Sequence, residues 1–558
     1  MGATGSWPNG WTPRPRLPGT IWNGWSIAIS FRPNGRSSPW PGPGGADVLR
    51  LLTFAVVVAW PLSTGQASAQ AIPDRPEGLR FAPSRFDPPP VAGLRFELRN
   101  GLPVYVVPDR TLPLVDVVLA LPVGDRNEGP GEDGLASMTA AMARRGGAGE
   151  LGPEELDDEV DALGARLQES SSWARTVLVL DTGSEALDRG LELLASILFE
   201  PRFDEQRLAQ AKDSLRVSLL AEGDDPRTVL DREWSRLVHG PASPRNRRLT
   251  EASLAAFQRE ALIRFHRRHW RPEGAVIAVS GDVEGEALVA RLDDLFGGWE
   301  ASGGTVDETM EVPAESASPG AGRRGTRPEI AAAYPGWWLV DRQGTQAALA
   351  LGHRGAAFNS WDHRDRWALM LLAEILDGPG AVSRLRSRLQ LEEGLTYRVL
   401  TWFDLDVVPS GTGRGRPPAP SAGEFRIFLE TAPESVAVAA AAVLEELRRL
   451  RRGDVADAEV ATARRSLAAR LPLLFDRAEV IAGRYAEDEL LGRPHEYWSL
   501  YRQRLGTVTV TDLRRVAQRY IDMDGIALLV VGDSAAVQAG RGAGELGRLL
   551  GSPAGVPD

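Results

Sequence analysis

Apolar residues recur every three to four positions over residues 154–167, 185–197, 203–221, 365–376, 436–450 and 457–474. That period predicts amphipathic helices, each with one buried stripe. Over residues 102–107, 114–121, 177–181 and 425–430 apolar and polar positions alternate instead, which predicts half-buried strands. Strands interleaved with long helices imply an α+β fold in which a helical layer covers an antiparallel-rich sheet.

The pattern is written twice. "RTVLVLDTGSEAL" (Arg175 to Leu187) is echoed by "EFRIFLETAPESV" (Glu424 to Val436). Each is an alternating strand running into a helix start. "GAVIAVSGDV" (Gly274 to Val283) is echoed by "GIALLVVGDS" (Gly525 to Ser534), an apolar strand ending in Gly-Asp. Such echoes predict duplication of one supersecondary unit. The expected domains are residues 92–300 and 336–540. A Gly/Ser/Pro-rich stretch, residues 301–335, reads as a flexible linker, and residues 541–558 as a disordered tail. A second loose insert, residues 408–423, reads as a surface loop or as a flap near a substrate channel.

Residues 1–47 show no period. They lead into a single Arg50, an apolar run from Leu51 to Leu62 and the small residues Ala67-Ser68-Ala69. This is the layout of a signal peptide with cleavage near Ala69 or Ala71, which implies a periplasmic or secreted protein. The run is too short for a membrane span, which takes about 20 residues. Residues 1–71 are therefore an extension plus signal peptide, and 72–91 a leader segment.

Composition narrows the chemistry. The net charge of -11 argues against nucleic acid, which calls for a basic footprint. Cysteine is absent, so disulfides and thiolate catalysis are excluded. With six histidines, a zinc site would need imidazoles and carboxylates. His266 and His269 stand three apart and could share a metal, but no acidic residue comes after them at a fitting spacing, so a packing or solvent-exposed role is the simpler reading. His353 is a lone histidine at a strand end. The acidic run at 154–160 reads as a solvated helix face.

The order of short motifs resembles the insulinase/pitrilysin-type peptidases, including processing-peptidase-like proteins. The carriers are Asn100-Gly101-Leu102, Gly124, Glu128 and Gly134-Leu135-Ala136 in the first half. In the second they are Ser383-Arg384-Leu385 and Gly394-Leu395-Thr396-Tyr397. The resemblance covers about residues 92–540 and implies two homologous domains, each a sheet packed against long helices.

It also implies a zinc helix. In active members H-x-x-E-H comes directly after Gly-Leu-Ala. Two histidines four apart grip the metal from one helix face, and the glutamate serves as general base. Those positions here are Ser137, Ala140 and Ala141. The position of the downstream glutamate ligand falls near Ser218–Leu219, with Glu222 nearby but out of place. The substrate-binding arginine and tyrosine of the second half map to Gln390 and Tyr397, with Arg386 or Arg388 as a possible substitute cation. The implied reading is a pseudo-metallopeptidase with no intact catalytic residue and no metal of its own. It would bind unfolded peptide, partly by sheet-edge pairing, and pair with a homologous zinc-carrying subunit. The alternative is a stand-alone peptide-binding or scaffold protein. A weaker option is an enzyme built on another metal site, such as His266 and His269.

Overall fold

The structure, a computed structural model, describes residues 86–221, 225–300, 330–356, 358, 360–379, 383–405 and 423–557. The segment expected to be a signal peptide, the residue 408–422 insert and Glu222 lie outside them. The first half runs β1 (Arg95–Glu97), β2 (Pro103–Pro108), β3 (Leu114–Leu121), α1 (Leu135–Arg145), α2 (Pro153–Ala162), β4 (Arg166–Ser171) and β5 (Thr176–Gly183). It continues with α3 (Leu187–Phe199), α4 (Glu205–Ala221), α5 (Pro226–His239), α6 (Glu251–Ala256), α7 (Arg259–His269), β6 (Val276–Gly281) and α8 (Gly285–Phe296).

The second half repeats that order: β7 (Gly336–Asp341), β8 (Ala347–Arg354), α9 (Arg364–Asp377), α10 (Arg384–Arg386) leading into a π-helical turn at Ser387–Glu392, then β9 (Val399–Phe403) and β10 (Glu424–Thr431). After these come α11 (Val436–Arg452), α12 (Asp457–Arg470), α13 (Ala478–Leu490), α14 (Tyr497–Thr507), α15 (Val510–Tyr520), β11 (Ala527–Gly532), α16 (Ser534–Ala539) and α17 (Ala543–Leu550).

The sheets carry the duplication in their topology. The first is ordered β1-β2-β6-β3-β5-β4 and the second β7-β11-β8-β10-β9. Apart from β1, the strands correspond one to one. In each, the last strand of the half pairs parallel with the first (β6 with β2, β11 with β7), and the remaining pairs of the shared order are antiparallel. The two apolar runs ending in Gly-Asp are thus inner strands. They are covered on both faces, which is why they read as continuous hydrophobic runs. β5 alternates buried and half-buried positions as an antiparallel strand with one open face does.

Each half also lends a helix to the other. α5 of the first half buries Val229, Leu230, Trp234 and Leu237 against Ala348, Phe428, Leu529 and Val531 of the second sheet. Arg354 of β8 donates from Nε and Nη2 to the carbonyls of Val238 and His239, at 3.1 and 3.0 Å, and so caps that helix. Conversely, α13 of the second half lies on β2, β6 and β3. Its Tyr485 stacks on Tyr105 at 6.0 Å. Its Glu489 takes the Tyr105 hydroxyl at 2.6 Å and both Nε and Nη2 of Arg95 at 3.2 and 3.1 Å. Neither sheet is covered on both faces without the other half.

Several boundaries differ from expectation. The period at 154–167 predicts a single helix, but α2 stops at Ala162. Gly164 turns the chain with φ of 61°, and Leu167 belongs to the edge strand β4. Residues 541–558 are not a disordered tail. Within them α17 buries Leu546, and Ala554 exchanges backbone hydrogen bonds with Trp337 and Leu339 of β7 at 3.0 and 2.9 Å. The assigned linker ends earlier than 335. Ile330 and Ala332 are buried, and Ala333 and Tyr334 donate to the last carbonyls of α5. Composition misleads at both places because short apolar groups there meet a partner from elsewhere in the chain. Among the described residues no helix is long and apolar enough to cross a membrane.

Candidate functional site

The helix expected to carry a metal is α1. Its residues, LASMTAAMARR, are mostly strong helix formers. Arg144 and Arg145 favour its C-terminal dipole. Gly134 before it has φ of 89°, and a Cβ there would stand 2.9 Å from Leu249 Cδ1, so only glycine fits. No side chain of the helix caps its start. Glu128 does so from the preceding loop: Oε2 accepts from Gly134 N at 3.1 Å and Oε1 from Ala136 N at 2.8 Å. Arg247 donates to the Glu128 carbonyl at 2.6 Å. Burial pushes the Glu128 carboxyl up to about 8, although those two N–H groups oppose the shift. Glu128 stands out in the sequence as one of the motif residues, but its capping role is not legible there.

Ser137, Ala140 and Ala141 occupy successive turns of α1. Ser137 is exposed, Ala141 half-buried, and Ala140 is 1% exposed within the core. Burial raises the Asp125 carboxyl, with the Ser137 hydroxyl acting in the opposite direction. The helix expected to bring the third ligand is α4. Its Leu215 and Leu219 pack on the first domain's core, while Ser218 is exposed and returns its hydroxyl to the Ser214 carbonyl at 3.1 Å. A hydroxyl, two methyl groups and leucines do not fit zinc, which takes imidazole, thiolate or carboxylate donors. Among the described residues no three His, Asp or Glu side chains are grouped closely enough to hold a metal ion.

α1 packs beside β4, the outermost strand of its sheet. Arg144 donates Nε to the Leu167 carbonyl at 2.9 Å and ion-pairs with Asp157 at 2.7 Å. Arg145 reaches Glu169 at 2.9 Å. α1 therefore lies beside an edge strand that has no partner on its outer side among the described residues.

The second group of expected residues lies before β9. Leu395 and Thr396 donate to the Leu389 carbonyl at 2.7 and 3.3 Å and close a loop. Gln390 and Tyr397 each adjoin that closure. Tyr397 is 91% exposed, its ring turned to solvent. Neither side chain has a hydrogen-bond partner among the described residues. Arg388 is not a free cation: Nε holds Glu393 at 2.9 Å and Nη1 holds Glu446 at 3.1 Å. Glu446, with a side chain 3% exposed, also receives Arg384 and Arg449. Arg384 grips Glu459 with two 2.8 Å bonds, so the Ser383-Arg384-Leu385 motif is an anchor for this turn.

The three histidines His266, His269 and His353 are packed. His266 Nε2 bonds to the Leu198 carbonyl at 2.9 Å, and its ring meets Phe203 and Trp270. His269 meets Phe265. Burial takes both down to about 4. His353 Nε2 accepts from Asp522 N at 3.0 Å and Nδ1 faces the Arg354 carbonyl at 2.6 Å, so it is a neutral core histidine.

The chain is similar to known proteins. The profile "Insulinase (Peptidase family M16)" matches residues 104–232, and "Peptidase M16 inactive domain" matches residues 256–467. An uncharacterized zinc protease of Bacillus subtilis (strain 168) is 21% identical, over 78% of this chain and 97% of its own. A probable mitochondrial-processing peptidase subunit beta of Arabidopsis thaliana is 24% identical, over 78% and 77%. The crystal structure of a peptidase M16 inactive domain from Pseudomonas fluorescens has a TM-score of 0.62 at 20% identity, covering 79% of this chain and 98% of that one; that likeness is one of fold. Fold, order of motifs and profile matches agree: the chain belongs to the insulinase family of peptidases, family M16.

Proposed function

We propose that this chain is a non-catalytic, peptide-binding subunit that pairs with a homologous subunit carrying H-x-x-E-H and zinc. The observation that carries the reading is α1. Its capping, packing and neighbouring sheet edge are intact, while Ser137, Ala140 and Ala141 cannot bind metal or accept a proton from water. Unfolded peptide would add to the open edge of β4 by main-chain hydrogen bonds. Tyr397 would present its hydroxyl to substrate held by the partner, with Gln390 as a neutral donor beside it. A subunit name among the matched relatives supports pairing. The leader sequence supports export to the periplasm or beyond, where the assembly would work.

The experiment purifies the chain alone and with the homologous zinc-carrying subunit. Zinc content and cleavage of an unstructured peptide are then measured. The expected result is no stoichiometric zinc and no cleavage for the chain alone, and cleavage in the pair that exceeds that of the partner alone. Stoichiometric zinc in the isolated chain overturns the proposal. A second reading, a stand-alone peptide-binding or scaffold protein, draws on the missing arginine: Gln390 is neutral and Arg388 is held by Glu446. Peptide binding with no gain in cleavage on adding the partner selects it.

A further inference from the structure

A cavity of about 970 Å³ opens beyond the opposite end of α1 from Ser137, about 12 Å along the helix axis over the eight residues from Ser137 to Arg145. Its floor is the α3–α4 connection, held to the glycine exit of α1 by Arg202 N to Gly147 O at 2.9 Å and Asp204 N to Gly146 O at 3.1 Å. Phe203 in that connection takes φ of 52°, the single positive value at a non-glycine among the described residues. Such strain persists where surroundings enforce it and is commoner at ligand sites.

The cavity's wall is the last turn of α7 together with residues 270–271. Phe199, Ile263 and Trp299 supply an apolar side. Trp270, 3% exposed, also lines it, and its indole N–H has no acceptor; a buried donor left unpaired calls for an explanation. Arg267 and Arg271 line the same cavity and make no ion pair with a described carboxylate. Arg202 and Arg259, by contrast, use donors on backbone carbonyls. Three acids line it, Glu200, Asp204 and Glu205. Asp204 takes Arg207 N at 2.8 Å as the cap of α4, and Glu205 sits in that helix's first turn, where the dipole favours it. Against these three stand the four guanidinium groups of Arg202, Arg259, Arg267 and Arg271. His266 is neutral, so the positive charge here is guanidinium.

We propose that this cavity binds an organic carboxylate carried on an aromatic or apolar body. Arg267 and Arg271 hold the carboxylate, which supplies the acceptor that the Trp270 N–H lacks. The body lies against Phe199, Ile263 and Trp299. A planar carboxylate suits the guanidinium fork, and an aromatic body suits a wall of rings. The site depends neither on zinc nor on the pairing proposed above.

Two sources share this chemistry: a free aromatic acid and the C-terminus of a peptide ending in an aromatic residue. Calorimetric titration of the full chain with 3-phenylpropionate and with its uncharged amide tests the first. The tripeptide Ala-Ala-Phe, with and without C-terminal amidation, tests the second. Expected is saturable 1:1 binding of at least one acid, weakened about tenfold or more by amidation, as loss of a charged hydrogen-bonded pair implies. The double variant R267Q/R271Q, whose side chains leave the core intact, weakens it by about as much, and W270F by about threefold. Tighter binding of the tripeptide than of 3-phenylpropionate identifies a peptide C-terminus; the reverse identifies a free acid. No saturable binding of either up to about 10 mM, equal binding of acid and amide, or unchanged binding to R267Q/R271Q overturns the proposal.

Discussion

At the scale of single residues, α1 differs from a zinc helix in more than its ligands. Ala140 is packed in the core, so returning a glutamate there means burying a carboxylate. Ala140→Glu is expected to lower stability by about 2–4 kcal/mol, read by urea unfolding. The triple variant S137H/A140E/A141H is expected to hold no stoichiometric zinc at micromolar metal, because α4 offers only Ser218 and Leu219 near the expected place of the third donor. Glu128 allows a test by pH. Its carboxyl lies at about 8 in the folded chain, against about 4.3 unfolded. Between these values the folded state holds a proton that the unfolded state has released, so its contribution to stability falls as pH rises from about 4.5 to 8 and levels off above. In Glu128→Gln that component is gone. The urea midpoints of the two proteins should diverge across this window, wild type losing ground; parallel profiles would remove the assignment.

At the scale of elements, the second half's motif region is an ion-pair anchor more than a substrate cation. Arg384, with a side chain 9% exposed, bridges Glu446 and Glu459. Arg384→Ala leaves those acids short of a partner and is expected to cost about 2–4 kcal/mol. Arg388→Ala, where the side chain is 31% exposed, is expected to cost about 1 kcal/mol or less. A comparable loss for both would show that Arg388 is as deeply committed to the anchor as Arg384. The edge strand β4 is hidden from periodicity, because its pattern runs on from α2 without a change of period. Gly164 is the only sequence mark of the break.

At the scale of the molecule, the halves exchange α5 and α13. Each sheet would otherwise expose an apolar face: Tyr105, Val276 and Ala278 in one, Ala348, Leu529 and Val531 in the other. Residues 86–300 expressed alone should bind a hydrophobic dye and unfold without a cooperative transition, and mixing with residues 330–557 should restore both cooperativity and dye exclusion. A cooperative, dye-silent first fragment would show that α13 is dispensable to it. Within the intact chain, Trp234→Ala removes the largest side chain of α5 and its 2.7 Å bond to Glu424. It should lower stability by about 3–5 kcal/mol.

Local pattern was enough to determine the duplication and the places of strands β3, β5 and β10, because periodicity is a property of the residues themselves. The half-burial that alternation implies holds along β5, whereas β10 is buried almost throughout because both faces of its sheet are covered there. Tertiary structure alone decided that Glu128 caps α1 and that Arg388 is held by Glu446. It also decided that the C-terminal segment folds onto β7 and that each half is closed by the other's helix. These depend on contacts between residues from eight to nearly four hundred positions apart, and no local period encodes which distant surface will bury a given face.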